Sequence, residues 1–179
     1  MTRSIVAPPD LTGAPLTELK SWLAISTAQE DALLTDMLHA ACGLCESFTG
    51  LVPLATTIEE RVSEYGLRQS LRSLPVRALV TIERVAADGI RTPVAGTRGF
   101  AMAADGSASL DTERQTDGSH LAVRIVAGME EDWAALQPPI AQGIIRMAAH
   151  SYRERDLGPQ AAPPSAVAAL WRPFRRMRL

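Results

Sequence analysis

A chain of 179 residues, 46% hydrophobic and 21% charged, can bury about two-thirds of its unfolded surface, which excludes a disordered polypeptide and a scaffold dependent on disulfides. No run approaches the ~18 consecutive apolar residues of a membrane span, so no membrane association is expected. The net charge of −2 is unevenly spread: up to Trp133 there are 18 acidic and 11 basic residues, a balance of −7, and from Ala134 onward 2 acidic and 7 basic, a balance of +5. An acidic body with a basic C-terminal segment suits an acidic partner, although a solvated charged face is the commoner reason for such a bias.

The segment Met1–Asp10 carries one positive charge and an apolar run too short for a secretory leader, so the protein is expected to stay in the compartment where it is made. Residues 1–14, with Pro8, Pro9 and Gly13, read as an irregular arm. Leu16, Leu19 and Leu23 share one face of a helix over 16–25. Thr27 and Glu30 have the spacing of a capping box and open a long helix over 28–49, whose apolar stripe runs through Leu34, Met37, Leu38, Ala41, Leu44, Cys45 and Phe48. Gly50 ends it, and Pro53 opposes continuation.

After Pro53 the pattern changes to short strands over 56–127. Leu79–Val85 runs into the turn Asp88-Gly89, and Leu121–Ala127 alternates cleanly to Gly128. Helix returns over 139–155 behind Pro138-Pro139, with Ile140, Ile144, Ile145, Ala148 and Tyr152 on one face. Gly158, Pro159, Pro163 and Pro164 form a linker, and a short helix follows from Ser165 until Pro173 ends it. The α and β parts are segregated, which predicts an α+β fold: an antiparallel helix core, an inserted small β region and a projecting C-terminal helix. A body over 1–158 and a linker with a C-terminal segment over 159–179 are the expected divisions.

Residues able to do chemistry are sparse. Cys42-Gly43-Leu44-Cys45 lies inside a helix rather than at its N-terminus, so small buried hydrophobes explain it better than a redox pair. His39, His120 and His150 lack the companions of a four-ligand zinc site. Glu130-Glu131-Asp132 complements a helix dipole. No phosphate-binding glycine loop and no nucleophile–base–orienter set is present, so no catalytic residue, metal ligand or cofactor is expected and the protein is not expected to be an enzyme.

The informative stretch is Leu170-Trp171-Arg172-Pro173-Phe174-Arg175-Arg176-Met177-Arg178-Leu179, with two of the chain's eight aromatics and four arginines. Trp and Arg dominate binding hot spots, and on a tail they make a docking element. Two other readings stand beside it: a closing helix folded on its own domain, and a nucleic-acid-binding module using the Arg-rich tail for phosphates and Trp for base stacking.

Five segments stand in order: the two-helix opening Leu16–Leu23 and Glu30–Leu34, the run Cys45-Glu46-Ser47-Phe48-Thr49-Gly50, then Leu74-Pro75-Val76-Arg77, the Pro139-led helix ending His150-Ser151-Tyr152-Arg153-Glu154-Arg155, and the closing Pro173-Phe174-Arg175-Arg176-Met177-Arg178-Leu179. Together they resemble the head–tail connector (adaptor) proteins of tailed bacteriophages and gene transfer agents. Residues from about 90 to 120 carry no landmark of that family. The resemblance implies a structural virion protein, made in the bacterial cytoplasm and resident in the particle neck. It would form a homo-oligomeric ring, usually of twelve copies, beneath the portal protein. A stopper or tail-terminator protein would meet its other face, and DNA would pass through the lumen without specific binding. It further implies that Leu170, Trp171, Arg172, Phe174, Arg175, Arg176, Arg178 and Leu179 dock on the portal, with Trp171 and Phe174 as anchors.

Overall fold

The computed structural model describes residues 3–63, 68–94, 99–111, 119–155 and 162–176. It comprises two compact units, one formed by Met1–Pro8 with Thr56–Gly128 and the other by Pro9–Ala55 with Met129–Leu179. The described part of 159–179 therefore belongs to the second unit.

The first unit is built from β1 (Arg3–Ala7), β2 (Thr56–Ser63), β3 (Arg68–Ser70), β4 (Val76–Val85), β5 (Arg91–Pro93), β6 (Phe100–Met102), β7 (Ala108–Asp111) and β8 (His120–Ala127). An antiparallel five-stranded sheet has the order β1-β2-β8-β4-β5, and a three-stranded sheet has the order β3-β7-β6. Alternation sets the register: Ile58 pairs with Ile125, Glu60 with Val123 and Val62 with Leu121, and all six are buried. The expected irregular arm is in fact an edge strand over Arg3–Ala7, paired with β2. All five of its residues are exposed, so no alternation marks it in the sequence. The β region is also larger than an inserted appendage, for it has a core of its own in Ile58, Val62, Ile82, Val123 and Ile125.

Glu60 occupies a core position on β2, 1% exposed. Its carboxylate accepts the backbone N–H groups of Arg72, at 3.0 Å, and Ser73, at 2.7 Å. The Leu74–Pro75 peptide is cis, and Gly106, at φ +75°, lies where a Cβ would come within 2.3 Å of the Pro75 Cβ. The Val76 N–H donates to the Gly106 carbonyl at 2.8 Å and the Gly128 N–H to the Pro75 carbonyl at 2.9 Å. The Leu-Pro-Val-Arg run thus fastens the start of β4 on both sides.

One residue earlier, Glu59 points to the other face and laces three strands together. Arg91 donates to it twice at 2.9 Å, Arg124 at 3.0 Å, and Arg91 also reaches Glu83 at 3.1 Å. The Arg91 hydrogen bonds are the largest influence and hold the Glu59 carboxyl below its ordinary value of 4.5; burial opposes them, and the Arg124 hydrogen bond and the two positive charges add to the lowering. A lowered folded-state value gives stability that is present above 4.5 and fades as pH falls through the lowered value. Glu59→Gln should therefore flatten the acid limb of a melting-temperature-against-pH curve, and an acid limb identical to wild type would count against this ion-pair lace.

The second unit holds α1 (Ala14–Leu23), α2 (Asp31–Thr49), α3 (Pro138–Arg153) and α4 (Ser165–Trp171), with 3-10 turns at Trp133–Ala135 and Arg172–Phe174. Leu16 and Leu19 of α1, Leu34, Leu38, Ala41 and Cys45 of α2, Ile140, Ile144 and Ala148 of α3, and Val167 and Trp171 of α4 share one buried cluster. The apolar stripes read from the sequence are the surfaces that meet there.

Two expectations are corrected. The capping box at Thr27 does not form: α2 begins at Asp31, and Glu30 stands at its N-cap without a side-chain cap. Glu30 is engaged elsewhere, accepting the Tyr152 hydroxyl at 2.7 Å and lying 3.6 Å from the Arg155 guanidinium, which itself stacks on the Tyr152 ring at 4.7 Å. The His-x-Tyr-x-x-Arg run thereby ties the end of α3 to the start of α2. Nor does the C-terminal helix project, since Val167 and Trp171 are 2% and 0% exposed and α4 packs on α3 and α2. Burying the indole and the valine against that apolar surface outweighs leaving them in water.

Candidate docking segment and its seat

The C-terminal segment lies on a seat made by α2 and α3. Trp171, expected as an anchor for a partner, is instead the largest wholly buried side chain of its own unit. Its indole N–H points to the Ile140 carbonyl at 3.4 Å, and its ring meets Phe48 at a centroid distance of 6.1 Å, tilted by 51°. Gly143 makes the fit possible: a Cβ at that position would stand 2.0 Å from the indole nitrogen and 2.7 Å from Cε2. Any side chain there would force the ring or the helix beneath it to shift, whatever its rotamer.

Beyond the indole the chain turns through Arg172–Phe174 and crosses the C-terminal end of α2. The Arg176 N–H donates to the Thr49 carbonyl at 2.8 Å, and the Arg175 guanidinium lies 5.7 Å from the centre of the Phe48 ring. Thr49 is buried and its hydroxyl donates to the Cys45 carbonyl at 2.7 Å. Gly50 caps α2 with a bond from its N–H to the Glu46 carbonyl at 2.7 Å. Carbonyls at this end of a helix carry partial negative charge, which favours the two arginines held beside it.

The expected docking residues are thus divided by the fold. Arg172, Arg175 and Arg176 are exposed, Leu170 and Phe174 are half-buried, and Trp171 is wholly internal. Arg178 and Leu179 lie outside the described residues. The Cys-Glu-x-Phe-Thr-Gly run, whose purpose the sequence left open, is the seat itself, for Phe48 and Thr49 contact the C-terminal segment directly. Its cysteines are packing residues: burial pushes the Cys42 thiol up to about 12 and also raises Cys45, so neither forms appreciable thiolate near neutral pH. Among the described residues no group of three or more His, Cys, Asp or Glu side chains is arranged to hold a metal ion, and no helix is long and apolar enough to cross a membrane.

No protein-family profile matches the chain, and no curated protein matches its sequence. Solved structures do match. One is a chain of the neck of an empty gene transfer agent (GTA) particle computed with C6 symmetry, with TM-score 0.78 and 26% identity, covering 100% of this chain and 97% of that one. A chain of the virion of a native gene transfer agent particle gives 0.77, and one of the neck of a native particle computed with C12 symmetry gives 0.75, both at the same identity and coverage. Agreement over the whole length defines the class: a structural neck protein of the head–tail connector kind. Its location is the neck of a virion or gene transfer agent particle.

Proposed function

We propose that this chain forms a ring, twelve copies in number, that joins the portal protein of a DNA-filled head to the tail. The observation that carries the reading is the full-length match to neck chains of gene transfer agent particles, whose C6 and C12 symmetries suit a closed ring with head-to-tail subunit contacts. The portal contact falls to the outward side of the C-terminal segment. Arg172, Arg175 and Arg176 supply charge and register, Leu170 and Phe174 supply apolar rim, and Trp171 acts from within by fixing the segment to its own subunit. Arg178 and Leu179 extend the same contact. A stopper or tail-terminator protein meets the opposite face of the ring, and DNA passes through the lumen. The acidic body disfavours tight phosphate binding there.

Reversing the three exposed charges (Arg172→Glu, Arg175→Glu and Arg176→Glu together) tests this reading. DNA-filled heads should accumulate while tailed particles counted by electron microscopy fall by about tenfold or more, with the isolated subunit still folded. Normal tail attachment in the triple variant would sink the portal contact. The same arginines also suit a phosphate backbone. A loss of salt-sensitive DNA affinity in the variant, with tails attached as usual, would favour nucleic-acid binding instead.

A further inference from the structure

A cleft of about 570 Å³ opens on the helical unit between α1, the Trp133–Ala135 turn and α3, lined by Trp22, Trp133, Pro138, Ala141 and Ile145 among others. Trp22 is 49% exposed, an unusual cost for so large an apolar ring on a lone subunit. The Arg146 guanidinium stacks on that ring at 5.5 Å. Its Nε is buried with no hydrogen-bond partner, and no ion pair engages Arg146 among the described residues. Glu18, the cleft's own acid, is occupied by the Trp133 indole N–H at 3.1 Å. Two aromatic walls and an unspent cation ask for an apolar side chain with a carboxylate next to it.

This chain carries such a knob. Among the described residues its exposed large hydrophobic side chains are Ile5, Val6, Trp22, Leu33, Val80, Ile90 and Met102. Leu33 has Asp31 and Asp36 close in sequence, but Lys20 holds Asp31 at 2.6 Å, and Leu33 and Asp36 lie along the side of α2 rather than at a projecting turn. Val80 has Glu83, which Arg91 holds at 3.1 Å. Ile90 differs: it is 61% exposed at the tip of the β4–β5 hairpin, and Asp88 accepts the Ile90 N–H at 3.0 Å through one carboxylate oxygen. That bond presents the acid and the isoleucine as one unit, with no ion pair on Asp88 among the described residues.

A closed head-to-tail ring requires every copy to offer two different, mutually complementary surfaces. We infer that the Asp88–Ile90 hairpin tip of one copy seats in the Trp22–Trp133 cleft of the next, with its Asp88 carboxylate on Arg146. The inference rests on the ring reading and deepens it. A hairpin tip is held rigid by its turn, so little ordering entropy opposes such a contact.

The test is a charge exchange, scored in particles made by complementing a deletion strain. Arg146→Glu and Asp88→Arg alone should each lower the yield of tailed particles by about tenfold, and the two together should bring it back to within about twofold of wild type. Ile90→Ser, a change in the β unit, should lower it as well, and thermal melts of each isolated variant verify that the subunits fold. Wild-type yield in Arg146→Glu, or no recovery in the double reversal despite normal melts, would overturn the contact. Imaging of wild-type necks separates the two levels: a neck without a ring of this chain sinks the ring reading, whereas a ring indifferent to the exchange sinks only this interface.

Discussion

Replacing Trp171 with alanine should lower the stability of the isolated protein by about 3–5 kcal/mol, the range for deleting a buried aromatic side chain. The residue is 0% exposed, it packs on Phe48, and the backbone of α3 is shaped around it at Gly143. The space left behind cannot be refilled by a neighbour, because the surface beneath the indole is a helix backbone lacking a side chain. Gly143→Ala should move stability in the same direction by about 1–3 kcal/mol through overpacking. Arg172→Ala, one residue further and exposed, should stay within about 0.5 kcal/mol of wild type. Urea unfolding followed by tryptophan fluorescence measures all three. A Trp171→Ala protein with an unshifted midpoint would mean that the indole spends its time elsewhere than in this seat. Tail attachment alone could not make that distinction, because a loosened segment and a missing partner contact both lose it.

The second large effect belongs to the β unit. Glu60→Ala should cost about 3 kcal/mol, because it strands the backbone N–H of Ser73 in the interior, leaves that of Arg72 without its acceptor, and opens a void besides. Their bonds to the carboxylate, at 3.0 and 2.7 Å, are the ties that draw residues 71–73 over β2. Glu60→Gln keeps an acceptor oxygen and should lose roughly half as much. Thermal unfolding ranks the two variants, and equal loss in both would argue that charge, not acceptance of the N–H groups, is what this position needs.

Helix positions were legible because their apolar stripes have a helical period and meet one another: Leu34, Leu38, Ala41 and Cys45 face Ile140, Ile144 and Ala148. Strand β8 was legible for the same reason at a period of two. Strand β1 was not, since an edge strand with all residues exposed has no buried side to mark it. The capping pattern at Thr27 misled because Glu30 has a stronger use with Tyr152 and Arg155. The C-terminal segment was legible as composition and misread as geometry. Its aromatics and arginines look alike in sequence whether they face a partner or their own subunit. The discriminating signals were Val167 and Trp171 one helical turn apart and a glycine, Gly143, set within the apolar face of α3, which together specify a notch and its occupant. The cleft at Trp22 left no sequence pattern, because its walls come from three separate elements.

Setting the indole between Phe48 and Gly143, just ahead of Pro173, gives the tip of the chain a mechanical stop. Tension applied near Arg176 meets first surface ties such as its backbone bond to Thr49 and then a bolt that can be drawn only by opening the helical unit. Under strain, the grip on whatever the arginines hold should therefore part before the protein does, leaving each subunit whole and able to engage again.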